Sequence, residues 1–262
     1  MDDQYRATDF TGRAVLVTGG TRGLGAAIAR AFLASGADVM VCGRGTPAAL
    51  PSAGGREAVF RAADLRDPAE AADLVAAIAQ RFGRLDVLVN NAGGSPHADA
   101  ATASPRFVEK VVALNLLAPL YTAQAANLVM REQPDGGAVI NIGSVSAHHP
   151  QPGTAAYSAA KAGLLGLTRA LALEWAPRVR VNHITAGLIR TENAAALYGD
   201  DEGAAVAGIV PMGRLAEPDD VARACLWLAC GLSSYVNGAD LAVHGGGEIP
   251  ARHAAGRRPA PP

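Results

Sequence analysis

Ser144, Tyr157 and Lys161 are the residues whose chemistry stands out first. Tyr157 and Lys161 lie four apart in an Ala/Leu-rich periodic stretch, 155–175, which reads as a helix, so they share a face. Ser144 follows a short apolar run, 138–142, which reads as a buried strand. A hydroxyl at a strand end, a phenol and an ammonium can therefore converge on one point. A phenol alone is a poor base near neutral pH, since its reference pKa is about 10. A neighbouring cation favours the phenolate and lowers that value. The pair can then move a proton to or from an alcohol oxygen. A Tyr and a Lys at this spacing are also at home as a packing residue and a solvated end, so the rest of the chain decides.

The elements that must position these groups alternate between strand and helix. Residues 13–18 read as a strand that runs into Gly19-Gly20-Thr21-Arg22-Gly23-Leu24-Gly25, and a helix follows to about residue 35, with Gly36 as its stop. Strand, glycine turn and helix open a dinucleotide-binding unit. The glycines let backbone approach a pyrophosphate, and the helix N-terminus offers unpaired N–H groups. A plain tight turn would use the same glycines. The second strand, 38–42, ends at Gly43 and Arg44, where an acidic residue would bind the ribose hydroxyls of NAD. With no carboxylate there, and with the guanidinium groups of Arg44 and Arg22 nearby, NADP(H) is favoured over NAD(H).

Residues 46–55 read as a loop and 58–62 as a third strand ending at Asp64-Leu65. Asp64 suits either an adenine amino group or the cap of the next helix, 69–82. A fourth strand, 85–89, ends in Asn90-Asn91-Ala92-Gly93, small and polar residues that would leave room for a cofactor. Residues 104–130 read as a long helix interrupted at Pro119. Asn115 lies within its apolar run, either as a bridge between helices or as a polar station near an active site. Residues 145–154 must be a loop, in which His148 and His149 line a substrate mouth; no second cluster with ligand spacing supports a metal. The sixth strand, 178–184, leads to Gly187, Leu188, Ile189 and Thr191, and 192–210 has the composition of a mobile lid. A helix over 217–230 and a strand over 240–244 complete the chain. Ser95, Gly153 and Tyr198, with Leu188 and the two histidines, are the expected substrate-lining residues.

At 262 residues and 50% hydrophobic, the chain can bury one large core. We expect one domain, residues 1–247, with a Pro/Arg-rich tail over 248–262. A net charge of −1 leaves no electrostatic footprint for nucleic acid or an acidic membrane surface. The first eleven residues lack a signal-peptide apolar region, and no apolar run is expected to cross a bilayer, because the Ala/Leu stretches are broken by Arg, Glu or Pro. Cys42, Cys225 and Cys230 are odd in number without C-x-x-C spacing, which points to a reduced compartment, the cytoplasm by default.

Taken together, the motifs resemble those of the single-domain short-chain dehydrogenases/reductases. The likeness runs from about residue 11 to 247. It is carried by T-G-G-T-R-G-L-G from Thr18, D-L at Asp64, N-N-A-G from Asn90, Asn115, Ser144, Y-S-A-A-K from Tyr157 and V-R-V-N before Gly187. The resemblance implies a doubly wound α/β fold with a seven-stranded parallel Rossmann-like sheet, its site at the strands' C-terminal ends. It implies Tyr157 as acid/base, Ser144 as holder of the substrate oxygen, Lys161 on the nicotinamide ribose, Asn115 in a water-linked proton path and Thr191 on the carboxamide. It also implies a homotetramer or homodimer, pairing through the helix that bears the tyrosine. Ala186 stands where the family usually has proline, and His244 where it usually has aspartate. The expected activity is NADP(H)-dependent hydride transfer between nicotinamide and a small carbonyl or secondary alcohol. Rival readings are reduction of 3-oxoacyl thioesters, steroids or polyketide-type ketones, and a non-catalytic dinucleotide sensor.

Overall fold

In β1 (Ala14–Thr18) every residue is buried, and alternate side chains enter two different apolar layers. Val15 and Val17 pack with Ile28 and Phe32 of α1 (Gly23–Ala34) and with Val221 and Leu228 of the helix Pro218–Ala229. Ala14 and Leu16 pack with Leu74 and Ile78 of α2 (Pro68–Phe82) and with residues of α4 (Ala118–Met130) and α5 (Ala155–Trp175). A strand buried on both faces must be apolar throughout, which is why it lacks alternation in sequence.

The computed structural model describes residues 8–192, 198–199 and 203–248. The remaining strands are β2 (Asp38–Gly43), β3 (Ser52–Ala53), β4 (Arg56–Glu57), β5 (Val59–Ala62), β6 (Val87–Asn90), β7 (Gly137–Ile142), β8 (Val179–Ala186) and β9 (Asp240–Val243). Seven of the nine form one sheet in the order β5-β2-β1-β6-β7-β8-β9, with every pairing parallel. Helices cover both faces, so the doubly wound Rossmann-like single domain is observed. The chain leaves β1 towards β2 and β5, then returns to build β6 to β9 on the other side. That reversal opens a crevice beyond the C-terminal ends of β1 and β6.

Several expectations need correction. The stretch expected as loop, 46–55, contains β3, which pairs antiparallel with β4. Gly54 and Gly55 both take positive φ, 59° and 72°, as a two-residue hairpin turn requires. Asp64 does not cap α2; Asp67 does, accepting from Ala69 N at 2.8 Å. The long helix does not break at Pro119. α3 (Pro105–Val112) passes into a π-helical turn, Ala113–Leu117, and then into α4. Pro119 has no N–H to offer the carbonyl four residues back, and its ring crowds that carbonyl, so the helix widens just before it. An 18-residue window of this continuous run, Pro105–Met130, does have the length and composition of a membrane span, with mean hydropathy 1.2. It packs against α2 and α5 as a core helix instead. The expected lid falls partly on residues 193–197 and 200–202, and the tail on 249–262, outside the described residues.

At the opposite end of the sheet, Asp86 ties the start of β1 to the segment that leads into β6. Its carboxylate accepts from Ala14 N at 2.8 Å, from Arg13 at 2.9 Å and from Arg84 at 2.6 and 2.7 Å. Asp86 is 7% exposed, whereas both arginines remain about a third exposed. Asp86→Ala strips the acceptor from a buried N–H and leaves two guanidinium groups facing each other. It is expected to cost about 2 kcal/mol in urea unfolding; a midpoint equal to wild type would contradict this account.

Candidate active site

The crevice at the switch point is laced by Thr18 and Asn91. Thr18 Oγ1 accepts from the N–H groups of Asn91 and Ala92 at 2.9 and 3.0 Å. Asn91 Nδ2 donates back to Thr18 O and Gly19 O at 2.9 and 3.2 Å. Asn90 points the other way, to Asn141 at 2.9 Å and to Pro119 O at 3.1 Å. Gly25 must stay bare, because a Cβ there would stand 2.3 Å from Gly19 O. Gly19 and Gly23 take φ of 62° and 53°, which turns the loop tightly into α1.

A cavity of about 470 Å³ occupies this crevice. Gly19, Thr21, Arg22, Gly43, Arg44, Asp64, Leu65, Asn91, Ala92 and Gly93, all expected at the cofactor, line it together. Gly23, Leu24 and Gly25 form the first turn of α1 beside it. Thr191 lies opposite Gly23, its Cγ2 3.8 Å from where a Cβ would stand. The neighbouring Glu192 accepts from Gly23 N at 3.2 Å. Gly187 is locked against β9 by a bond to Val243 O at 3.0 Å, and Ile189 N donates to Tyr198 Oη at 3.2 Å. Arg66, Cys42 and Leu114 also line the cavity and were not foreseen. Arg66 could have been flagged as the cation two residues beyond Asp64. It bonds the Asp64 carboxylate through Nε at 2.9 Å and holds that carboxyl below its usual range, with Arg44 adding to the effect. Glycine backbone at a helix N-terminus, beside three guanidinium groups, fits the diphosphate and ribose of a dinucleotide.

Beyond the nucleotide crevice, β7 ends where α5 begins. Ser144 lies past the strand end, and its Oγ accepts from Ser146 N at 3.1 Å. Its hydroxyl also faces the phenol of Tyr157. Lys161 is buried, donates to Ile142 O at 2.8 Å, and has its Nζ 5.7 Å from the centre of the Tyr157 ring. Burial pushes the Tyr157 phenol up, while Ser144 draws it down and Tyr198 raises it further. Burial pulls Lys161 down to about 8. The lowering of the phenol expected from its cationic neighbour is not what the structure gives: burial dominates, Ser144 is the group that lowers it, and the ammonium donates to the Ile142 carbonyl. Asn115 is fully buried, and it donates to Gly94 O and Val111 O at 3.0 and 2.9 Å. Its Oδ1 accepts from Gly94 N at 2.9 Å. A Cβ on Gly93 would stand 2.8 Å from Asn115 Oδ1 and 3.3 Å from Lys161 Nζ. Asn115 thus joins the π turn to the loop beside Lys161, which makes it a bridge and a neighbour of the site at once.

The six expected substrate-lining residues do not share one cavity. His148 and His149 line a polar hollow of about 310 Å³ with Thr185, Asp240 and Glu248. Leu188 lines another, of about 280 Å³, beneath the segment after β8. Gly153 packs beside His97, Ser95 Oγ bonds Pro96 O at 2.9 Å, and Tyr198 is the one of the six that is near enough to raise the Tyr157 phenol. No group of three metal-ligating side chains occurs among the described residues.

The family model described as enoyl-(acyl carrier protein) reductase matches residues 19–248, which span the glycine turn, Asn115, Ser144, Tyr157 and Lys161. The chain belongs to the short-chain dehydrogenase/reductase family. This short-chain dehydrogenase/reductase is 38% identical, over 95% of both chains, to an uncharacterized oxidoreductase of Mycobacterium tuberculosis. It is 36% identical to D-threitol dehydrogenase of Mycolicibacterium smegmatis, over 90% of this chain and 92% of that one. The solved aldohexose dehydrogenase of Thermoplasma acidophilum superposes with a TM-score of 0.84 at 27% identity, covering 98% of this chain and 99% of that one. The family makes the protein an oxidoreductase that acts on CH–OH or C=O groups of small molecules with NAD(P).

The buried lysine has a consequence for stability. Its pKa of about 8 in the fold lies below the unfolded value of 10.5. Between those pH values the unfolded chain binds more protons, so the contribution of Lys161 to stability rises with pH from about 8 to 10.5. The unfolding free energy of wild type relative to Lys161→Met is expected to climb across that window. A flat difference would show that the ammonium is not penalised by burial.

Proposed function

We propose that the protein is an NADP(H)-dependent ketone reductase and secondary-alcohol dehydrogenase in which Tyr157 is the acid/base. The observation that carries this reading is the meeting of Ser144, Tyr157 and Lys161, with Lys161 beside Gly93, a residue that lines the same cleft as Arg22 and Arg44. The nicotinamide, when bound, supplies or accepts the hydride. Ser144 and Tyr157 hydrogen-bond the substrate oxygen, and Tyr157 gives its proton as the carbonyl becomes an alcohol. In oxidation Tyr157 takes the proton from the hydroxyl. Lys161 holds the nicotinamide ribose one helical turn from the phenol, while Asn115 keeps the adjoining loop and helix in register. Thr191 binds the carboxamide. Arg44 and Arg22 pair with a 2′-phosphate, because Gly43 puts no carboxylate at the end of β2.

The same reading places the protein in the cytoplasm as a homotetramer or homodimer. The exposed outer face of α5, with Ala159, Ala162, Gly166 and an 84% exposed Leu173, suits close pairing with a second copy. The D-threitol and aldohexose relatives put small polyols and sugars first in a substrate panel.

Tyr157→Phe is expected to lower turnover at least a hundredfold on that panel while NADPH titration, read by fluorescence, stays near wild type. Turnover at the wild-type rate would remove the acid/base assignment. Arg44→Asp is expected to move the NADPH/NADH preference in kcat/KM by about tenfold or more towards NADH. Equal constants for both cofactors before and after the change would remove the role given to Arg44.

A further inference from the structure

One buried side-chain atom among the described residues has no hydrogen-bond partner: Nε2 of His183. His183 lies on β8 with 0% exposure, and its Nδ1 is 2.8 Å from Asp240 Oδ1 on β9. Asp240 also accepts from Thr185 Oγ1 at 2.7 Å and meets His148 Nε2 at 3.0 Å. Those bonds, to Thr185 and to the two histidines, hold its carboxyl below the usual range against the opposing push of burial. A carboxylate against Nδ1 assigns the imidazole proton to that nitrogen, so Nε2 carries a free lone pair. The other edge of the ring lies over Gly143, with Cε1 and Nε2 each 2.0 Å from where a Cβ would stand.

Lys161 lies against the same stretch of β7. Its ammonium spends one N–H on Ile142 O, the residue before Gly143, and no ion pair to it occurs among the described residues. A buried cation and a buried lone pair thus flank one peptide group, each with capacity to spare. Buried groups of this kind are satisfied in folded proteins, often through one ordered water. The groups that face this imidazole are Lys161 from α5, Asp240 from β9 and His148 from the turn after β7. Burial keeps His183 low, Asp240 opposes that, and Lys161 and His148 add to it, which favours the neutral ring.

We propose that Asp240 and His183 form a positioning pair for Lys161, in which the imidazole Nε2 accepts the ammonium through one water and keeps it charged in the cleft. The proposal rests on the role given to Lys161 above. Asp240→Asn keeps the shape of the side chain, but its amide can donate to His183 Nδ1. The ring proton then moves to Nε2 and aims an N–H at the cation, as in the wrong-tautomer effect known for catalytic histidines. Lys161 then holds its proton less well.

The test is the pH profile of kcat/KM for carbonyl reduction, together with 15N NMR of the histidines. In Asp240→Asn the alkaline limb is expected to move down by about one pH unit. In Thr185→Val, which removes a hydrogen bond without changing charge or tautomer, the limb is expected to stay in place. Wild-type protein is expected to give His183 protonated at Nδ1 and bare at Nε2. An unmoved limb in folded Asp240→Asn, or a proton on Nε2 in wild type, overturns the proposal; the NMR result stands even if the variant does not fold. Either failure leaves the Tyr157→Phe outcome untouched, whereas turnover by Tyr157→Phe would end the underlying reading.

Discussion

A buried ammonium group stands where α5 crosses the end of β7, and its bond to Ile142 O sets how the helix meets the sheet. Lys161 has little freedom to lie elsewhere, because a charge in this apolar layer is tolerated only beside an acceptor. Once it is placed, helical geometry brings Tyr157 one turn away to the same face, and the strand end presents Ser144 to the phenol. The cost of burying the charge is thereby turned into alignment. Gly143 completes the arrangement by having no side chain where β8 sends its imidazole.

The nucleotide crevice depends on a similar economy of small groups. The backbone ladder between β1 and β6 stops at Val17 and Val89, so the segments just beyond it have no strand-to-strand connection between them. Thr18 and Asn91 supply that connection through side chains, and this keeps the glycine loop and the segment after β6 at a fixed separation. Gly25 and Gly19 keep the loop thin enough for backbone to form the floor. Cations then decorate the rim from three different elements, Arg22, Arg44 and Arg66.

What could be read from sequence was whatever is local or periodic. The β-strands announce themselves because both faces are buried, as with Val15 to Val17 and Val87 to Val89. Tyr157 and Lys161 are legible because helical spacing alone brings them together. The π turn was legible only in part: Pro119 marks an interruption, but that the helix widens there and does not break goes with a bond between Asn115 and Gly94, 21 residues apart. His183 reads as an oddity within an apolar strand until Asp240, 57 residues on, lies beside it. Asp64 and Asp67 are both good caps on composition, and only the helix start at Pro68 separates them. The expected substrate residues scattered over different hollows because loops after β6, β7 and β8 are placed by contacts with one another, as between Ala98 and Gly153.

The widened turn at Ala113–Leu117 also sets a rotational phase. Each residue of an α-helix advances about 100° around the axis. The extra residue held in this turn shifts the facing of α4 relative to α3, so that α3 packs on α5 while α4 packs chiefly on α2. Asn115 can reach Gly94 while Thr122, seven residues further on, reaches Asn90 at 2.6 Å. A regular helix of the same sequence would have to give up one of those two appointments. The irregularity works as a gear tooth between the loop that borders the lysine and the polar layer beneath the sheet.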